Sequence, residues 1–262
     1  MKKPSRLGAL ISCFILPPSS FLLYHLPSMN RIDVHSHLLP GVDDGCKTAS
    51  ESLECARMLV AAGYSHCFCT PHVWPNHPHI TRQSLPALTA QLQRVFEEAN
   101  VSLKLLPGGE LNLYPGVRET PAEQIVSLGL SGKYILVDMW ADTLPEWFEP
   151  TIRWLQQMGL TVILAHPERM RAVQDRPEIA DYFQELGILL QGNLQCLADK
   201  PEAHTRRTIE RYLAENRYFL LGSDTHDVKG LKHRLIGLEN AIQIAGTHVI
   251  DRLTRQNPQA LL

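Results

Sequence analysis

The alternation of two kinds of segment constrains this chain more than any other feature of its sequence. Seven short runs of β-forming residues recur, and helical patterns lie between them. The runs cover residues 31–34, 65–70, 102–106, 134–137, 161–165, 188–191 and 218–221. The helical patterns cover residues 50–62, 85–99, 145–158, 178–186, 202–216 and 231–244, and three of them are expected to end at Gly63, Gly159 and Gly187. Strands that alternate with helices pair in parallel, so the pattern predicts an α/β fold.

Polar residues that can bind ions follow almost every predicted strand. They are His35, His37, His72, Glu110, Asp138, His166, Gln191, Asn193, Asp224 and His226. In an open sheet these side chains would be spread along a line, whereas the carboxyl ends of the strands of a βα barrel meet at one mouth. Their repeated position therefore favours a barrel-like domain with a single site.

Length and charge limit the number of domains and the kinds of partner. The chain has 262 residues, of which 44% are apolar, so it can bury one sizeable core, and a single domain is the default. Lysine and arginine total 25 against 27 aspartates and glutamates, which gives a net charge of −2. This balance gives no electrostatic reason to expect nucleic acid or an anionic membrane as a partner.

The cysteines and the N-terminal segment bear on where the protein resides. The six cysteines lack the C-x-x-C spacing of zinc sites, and their apolar or helical contexts fit a reducing compartment, so we expect the cytoplasm. Residues 1–28 combine a basic start with an apolar stretch at 7–16 that is too short to span a bilayer. We interpret them as an extension upstream of a natural start at Met29, or alternatively as a signal-like segment with a lipoprotein-type box at 10–13.

The pair His35 and His37 places two imidazoles on the same side of an extended backbone, where they can share one ion. Alone, an H-x-H pair is weak, because histidine has many ordinary roles. Five histidines and three acidic residues at strand ends form a stronger pattern, and this mixture of ligands suits Zn, Mn or Fe. More than four ligands imply more than one ion, with a carboxylate such as Glu110 as a bridge. Asp43 and Asp44, close to His37, are either further ligands or part of an ordinary turn.

Clustered cations suit the hydrolysis of phosphate esters, because they activate water, hold phosphoryl oxygens and stabilise the leaving oxygen. Motifs for rival chemistries are absent from the sequence. No cysteine is followed six residues later by arginine, which excludes the cysteine-dependent phosphatase loop. The G-x-S-x-G, P-loop and G-x-G-x-x-G motifs are also missing. The sequence therefore predicts a metal-dependent phosphoesterase.

Arg169 lies close to a predicted ligand, because it follows His166 by three residues. A guanidinium there can hold a phosphate through two hydrogen bonds. The alternative is a surface arginine that pairs with Glu168 or Glu178, and the spacing does not separate the two interpretations.

Six motifs occur in an order that resembles one protein family. They are residues 32–37 (I-D-V-H-S-H), 42–45 (V-D-D-G), 70–72 (T-P-H), 109–110 (G-E), 165–169 (A-H-P-E-R) and 223–226 (S-D-T-H). Together they resemble the PHP (polymerase and histidinol phosphatase) superfamily, and within it the bacterial tyrosine-protein phosphatases associated with capsule and exopolysaccharide synthesis. The resemblance implies one phosphoesterase domain over residues 29–262, built as a distorted seven-stranded, TIM-like (β/α) barrel.

The resemblance also implies a site for three divalent metal ions, commonly manganese, with iron, zinc or magnesium as alternatives. The implied ligands of the first ion are His35, His37, Glu110 and Asp224. Those of the second ion are Glu110, Asp138 and His166. Those of the third ion are His72 and His226, with Asp43 or Asp44 contributing. Arg169 matches a phosphate-binding arginine, and the residues expected to be catalytic are Arg169, Glu110 and His166.

The chain departs from the pattern of these phosphatases at two places. Asp138 stands at the end of the fourth strand, where the branch usually has the longer glutamate, so the geometry of the second ion is expected to differ. A second basic residue is missing from its usual place after the last motif, and Lys229, Lys232 and Arg234 are the possible substitutes.

The resemblance implies hydrolysis of phosphotyrosine on a protein. The implied substrate is a bacterial tyrosine autokinase with a tyrosine-rich tail that controls polysaccharide export, and any contact with a membrane would come through this partner. Two alternatives remain open. One is a small-molecule phosphatase of the histidinol-phosphate type, and the other is a degenerate module that binds phosphoproteins without turnover.

Overall fold

The computed structural model describes residues 30–140 and 142–262, so the predicted N-terminal extension 1–28 and Met29 lie outside the described residues. The described strands are β1 Arg31–Asp33, β2 Tyr64–Cys69, β3 His72–Val73, β4 Lys104–Pro107, β5 Glu110–Asn112, β6 Tyr134–Asp138, β7 Thr161–Ala165, β8 Leu189–Asn193 and β9 Tyr218–Gly222. The helices are α1 Ala49–Ala61, α2 Leu85–Glu98, α3 Phe148–Gln157, α4 Arg171–Asp175, α5 Ile179–Glu185, α6 Leu194–Ala198, α7 His204–Ala214, α8 Val228–Ala245 and α9 Thr247–Asp251. None of the helices in this part of the chain combines the length and the apolar character that a membrane span requires.

The strands form two sheets in which every pair of neighbours is parallel. One sheet has the order β1-β2-β4, and the other has the order β3-β5-β6-β7-β8-β9. Helices form the connections between most successive strands, because parallel strands are joined by a crossover that is usually helical. The predicted α/β fold with parallel pairing is confirmed.

Two short strands, β3 and β5, were not among the seven predicted runs. Pro71 separates β3 from β2, because proline has no N–H for the ladder, and Gly108 and Gly109 separate β5 from β4. A Cβ atom at Gly109 would lie 2.5 Å from Cγ2 of Val73, so only glycine lets the segment at Gly109 approach β3 this closely. The chain thereby passes from the first sheet to the second at both places, and His72 and Glu110 each begin a strand of the second sheet.

The end of β1 contacts the chain just after β9. Ser36 and Thr225 form an isolated parallel bridge, in which the His37 N–H donates to the Thr225 carbonyl over 2.8 Å. The buried carboxylate of Asp33 accepts hydrogen bonds from the backbone and the hydroxyl of Ser223, at 2.9 Å for the backbone N–H. These contacts bring the first and last predicted motifs side by side.

The core consists of two apolar clusters on opposite faces of the strands. Along β6, Ile135 and Val137 pack toward the helices in the larger cluster, while Leu136 between them belongs to the smaller one. The smaller cluster collects side chains from both sheets, namely Ile32, Val34, Phe68, Leu136, Ile163, Ala165 and Leu220, together with Leu128 and Leu261. The inner faces of the two sheets therefore meet in a common apolar interior.

Capping residues begin two helices next to the polar motifs. The Thr48 hydroxyl accepts a hydrogen bond of 3.2 Å from the Glu51 N–H, so α1 begins shortly after the turn that contains Asp43 and Asp44. The Asp227 carboxylate accepts the Gly230 N–H at 2.6 Å and starts α8 directly after His226. Because α8 begins directly after the motif 223–226, this cap fixes where the side chains in the first turns of α8 lie relative to that motif.

Candidate metal centre

The polar side chains predicted at the strand ends converge at the carboxyl ends of the strands. A cavity of about 260 Å³ is lined by Asp44, His72, Trp74, Glu110, Asp138, Trp140, His166, Arg169, Gln195, Asp224, His226 and Arg234. His35 and His37 are fully buried beneath it. Imidazole and carboxylate groups that lie at different strand ends, far apart in sequence, therefore share one space at the carboxyl ends of the parallel strands.

Three groups of side chains offer ligand atoms close enough to hold an ion. In the first group, Nε2 of His35 and Nε2 of His37 lie 3.2 Å apart. Both nitrogens face Oδ1 of Asp224, at 3.3 Å and 3.4 Å. This group matches three of the four ligands that the motifs imply for the first ion.

The second group centres on Glu110 and consists of His35, Glu110 and His166. Oε1 of Glu110 lies 3.0 Å from Nε2 of His166 and 3.4 Å from Nε2 of His35. The other oxygen, Oε2, lies 2.9 Å from Nδ1 of His72 and 3.5 Å from Nε2 of His37. Glu110 thus faces histidines of all three groups, which is the position that a bridging carboxylate needs.

The third group consists of His37, Asp44, His72 and His226. Oδ1 of Asp44 lies 3.2 Å from Nε2 of His72 and 3.4 Å from Nε2 of His226. The two imidazoles hold the pKa of this partly exposed carboxylate well below its usual value. Of the two neighbouring aspartates, Asp44 is therefore the one that faces the cavity.

Asp43 belongs to none of the three groups. Its Oδ2 accepts hydrogen bonds from Nδ1 of His37 at 2.7 Å and from the backbone of His72 at 3.1 Å. Burial would raise the pKa of this carboxyl, but the bond to His37 outweighs burial and lowers it to about 2. Gln191 has the same role for His35, since its Oε1 lies 2.9 Å from Nδ1 of that ring. Both residues orient an imidazole so that its Nε2 faces the cavity.

Asp138 is buried beside His166 but also lies outside the three groups. Its Oδ2 accepts a hydrogen bond of 2.7 Å from Nε1 of Trp140. Burial and the nearby charge of Glu110 raise the pKa of this carboxyl. The indole contact was not predicted, although an aromatic residue two positions after a strand-end acid is visible in the sequence.

Two arginines approach the cavity from different elements. Nη1 of Arg169 lies 3.1 Å from Oδ2 of Asp224, so its carboxylate partner is neither Glu168 nor Glu178, the two glutamates of the alternative interpretation. Arg234, on α8, is buried with Nη2 3.9 Å from the same oxygen, and its Nε has no hydrogen-bond partner. Lys229 and Lys232 are exposed and do not line the cavity. Arg234 is thus the substitute that the fold brings to the site.

Two ligand positions have a backbone conformation that non-glycine residues rarely adopt. His166 has φ 35° and Asp224 has φ 53°, both in the left-handed region. Such a conformation costs on the order of 1–3 kcal/mol. Backbone hydrogen bonds hold both residues, from His166 to Gln191 at 2.8 Å and from Asp224 to the carbonyl of His35 at 2.7 Å. At both positions the strained backbone directs a candidate ligand toward the cavity.

The buried polar atoms of the site fit divalent cations better than they fit one another. Oε2 of Glu110 and Nδ1 of His72 are both buried and, despite their 2.9 Å separation, form no hydrogen bond with suitable geometry. Burial would raise the pKa of Glu110, but the imidazoles of His35 and His166 hold it well below its usual range. Ionised carboxylates and buried nitrogen and oxygen atoms that lack hydrogen-bond partners are what a divalent metal ion binds, so the residues present fit the metals that the motifs imply.

A parallel α/β fold with histidine and carboxylate ligands at the carboxyl ends of its strands defines the class of metal-dependent hydrolases. The family model for capsular polysaccharide synthesis proteins, CpsB/CapC, matches residues 31–262, and the chain belongs to this family. The resemblance inferred from the six motifs is thereby confirmed.

Relatives of known activity share most of the chain. The tyrosine-protein phosphatase YwqE of Bacillus subtilis is 32% identical over 76% of this chain and 78% of its own length. The tyrosine-protein phosphatase CpsB of Streptococcus agalactiae is 25% identical over 75% of this chain and 83% of its own. A solved structure from work on YwqE of Bacillus subtilis and CpsB of Streptococcus pneumoniae, described as unique metal-dependent tyrosine phosphatases, superposes with a TM-score of 0.78. It is 28% identical and covers 88% of this chain and 94% of its own.

Proposed function

We propose that this chain is a metal-dependent protein-tyrosine phosphatase, a hydrolase of phosphoric monoesters. The observation that carries the proposal is the convergence of three ligand groups with two arginines in one cavity. Membership of the CpsB/CapC family and the tyrosine phosphatases among its relatives support the same substrate. The chemistry of the site and the family thus favour one reaction.

We propose that three divalent ions, manganese by preference over iron, zinc or magnesium, bind at the three groups. His35, His37 and Asp224 would hold the first ion, with Glu110 shared between the first and the second. His166 would complete the second with Asp138 nearby, and His72, His226 and Asp44 would hold the third. When bound, such ions activate water and neutralise the charge of phosphoryl oxygens.

The residues of the chain would position the phosphate. Arg169 has a side chain that is 34% exposed, so its guanidinium can reach a phosphoryl group that enters the cavity. Arg234 also lines the cavity, and it offers a buried guanidinium whose Nε has no hydrogen-bond partner. Two guanidinium groups can bind several phosphoryl oxygens and stabilise the charge that develops on them during transfer. Glu110 and His166 would act by holding the ions beside that phosphate.

The same proposal extends to the substrate, the cellular location and the domain organisation of this chain. The substrate would be a bacterial tyrosine autokinase of polysaccharide export, which the capsule family supports. A cytoplasmic location is supported by the five described cysteines, which are all free thiols. We also propose that residues 29–262 form one domain and that the two sheets together make a distorted barrel of seven βα units. The common apolar interior and the Ser36–Thr225 bridge support this arrangement.

The test is hydrolysis of a phosphotyrosine peptide by the purified full chain with Mn²⁺. We expect turnover that EDTA abolishes, and a loss of more than about 100-fold in Glu110→Ala and His166→Ala, since even residues that only support ligands cost 10–100-fold. Glu98→Ala and His248→Ala, which replace exposed residues of the same types, should keep full activity.

Three results would contradict the proposal. Full activity of both ligand variants would mean that the metal centre does not catalyse the reaction. Turnover of histidinol phosphate but not of the peptide would indicate a small-molecule phosphatase. Binding of the peptide by a protein that holds no metal and turns over no ester would indicate a binding module.

A further inference from the structure

We propose that Trp140 is a specificity-determining residue that contacts the aromatic ring of the phosphotyrosine ester. The inference rests on the proposed function and adds to it the means by which an aryl phosphate would be distinguished from an alkyl phosphate. The proposed metal centre does not require the Trp140 side chain, so its position calls for another explanation.

Trp140 is a large apolar side chain that is held at the surface by polar contacts. It is 65% exposed, whereas most large apolar residues described in this chain are buried. Its Nε1 donates to Asp138, and the guanidinium carbon of Arg169 lies 5.2 Å from the centre of its ring. The indole is therefore held in place between a predicted metal ligand and the arginine proposed to bind phosphate, while most of its surface stays exposed.

The indole also borders two adjoining cavities. The cavity of the metal centre, about 260 Å³, and a larger one of about 480 Å³ share four residues, namely Asp138, Trp140, His166 and Arg169. Met139 and Met170 line the larger cavity next to the indole. A volume of this size is in the range of small-molecule sites, and thioether and indole groups are good contacts for an aromatic ring.

The chemistry of phosphotyrosine fits this arrangement. Its phosphate is attached directly to an aromatic ring, so a phosphoryl group bound by Arg169 beside the metal centre places the ring next to that arginine. Trp140 and the two methionines occupy this position on the side of the larger cavity. The ester group of phosphoserine has no ring and gains nothing from these contacts. Aromatic pairs contribute enough beyond area burial to give a preference of roughly three- to tenfold.

The test compares two inert probes, phenyl phosphonate and methyl phosphonate, by calorimetric titration of the Mn²⁺-loaded full chain. We expect the natural chain to bind the phenyl compound roughly tenfold more tightly, and Trp140→Ala to lower this ratio by about three- to tenfold. Trp140→Phe keeps a ring but lacks the N–H that Asp138 accepts, so it should retain most of the preference. Ile236→Ala, at another exposed apolar residue, should leave the ratio unchanged.

Further measurements separate a contact with substrate from an effect through Asp138. Metal content is determined for each variant, because loss of the indole hydrogen bond could disturb the neighbouring ion. With a phosphotyrosine peptide, Trp140→Ala should raise KM more than it lowers kcat, and a phosphoserine peptide of the same sequence should show no such change.

The outcomes for the two proposals are distinct. The same phenyl preference in the natural chain and in Trp140→Ala, or the same loss for Trp140→Phe and Trp140→Ala, would overturn the role of Trp140. Absence of turnover of either peptide would contradict the phosphatase function, while the phosphonate ratio would still test the contact with the ring.

Discussion

Residues that do not face the ions decide where the first two histidines point. Asp43 and Gln191 each occupy Nδ1 of one imidazole, which leaves Nε2 of His37 and of His35 directed at the cavity. Such outer partners fix the tautomer and the ring orientation of a histidine ligand. The turn at 43–44 thus directs its two carboxylates differently: Asp43 holds the His37 ring, and Asp44 faces the cavity among the candidate ligands.

Removal of the orienting carboxylate is expected to weaken metal binding without unfolding the protein. In Asp43→Ala, the His37 ring loses its partner and we expect the affinity for Mn²⁺ to fall by about 10–100-fold. Calorimetric titration of the metal-free protein with Mn²⁺ measures this change. Asp175→Ala, which removes an exposed carboxylate on α4, serves as the control, and an Asp43→Ala variant with unchanged affinity would refute the orienting role.

Most residues that line the site could be predicted, because the end of a strand can be recognised in the sequence from the run of β-forming residues before it. The histidines and acids after each run were brought together as the sequence suggested. The division of work between Asp43 and Asp44 could not be predicted, because it depends on which way a tight turn directs each side chain. The bond from Trp140 to Asp138 and the burial of Arg234 likewise depend on tertiary packing.

At the scale of elements, periodicity predicted the long helices well but missed two of the three shortest strands, β3 and β5. The helix predicted at 85–99 is α2, Leu85–Glu98, and the expected glycine stops at Gly63, Gly159 and Gly187 all have positive φ. Strands β3 and β5 have two and three residues, too few for any alternating pattern to be detected. The transfer of the chain between the sheets was therefore missed, although its glycines and its proline were visible.

Substitution in that transfer segment is expected to reduce stability. A methyl group at Gly109 would meet Val73 and Val126, so Gly109→Ala should lower the free energy of unfolding by about 1–3 kcal/mol, as overpacking typically does. Because Glu110 follows directly, Mn²⁺ affinity should fall as well. Denaturant unfolding gives the stability, and the double variant Gly109→Ala with Val73→Ala should recover part of it. No destabilisation by Gly109→Ala alone would rule out the close approach as its cause.

At the scale of the whole molecule, the candidate ligands come from strand ends that span His35 to His226, and each ligand group joins segments that are far apart in sequence. The chain carries backbone strain at His166 and Asp224 to present them. Ligands that bind only the folded state stabilise it by mass action. The metal centre should therefore contribute to stability as well as to chemistry.

Thermal unfolding with and without metal tests this contribution. Free Mn²⁺ at 100 times its Kd should add about 2.7 kcal/mol, and for a domain of this size that corresponds to a rise in Tm of roughly 5–10 °C. Differential scanning calorimetry of the EDTA-treated protein, before and after addition of Mn²⁺, measures the shift. Glu110→Ala should show a much smaller shift, and equal shifts in both proteins would place the binding elsewhere.

The bridge between Ser36 and Thr225 has a consequence for biosynthesis. The ribosome releases the first histidine motif long before it makes the last one, and the two motifs meet only through contacts of very long sequence separation. A nascent or prematurely terminated chain that lacks residues 224–226 therefore cannot assemble the two ligand groups that need Asp224 or His226. Complete assembly of the candidate metal centre is therefore expected only after synthesis has passed the last motif, when the N-terminal and C-terminal strand ends can meet.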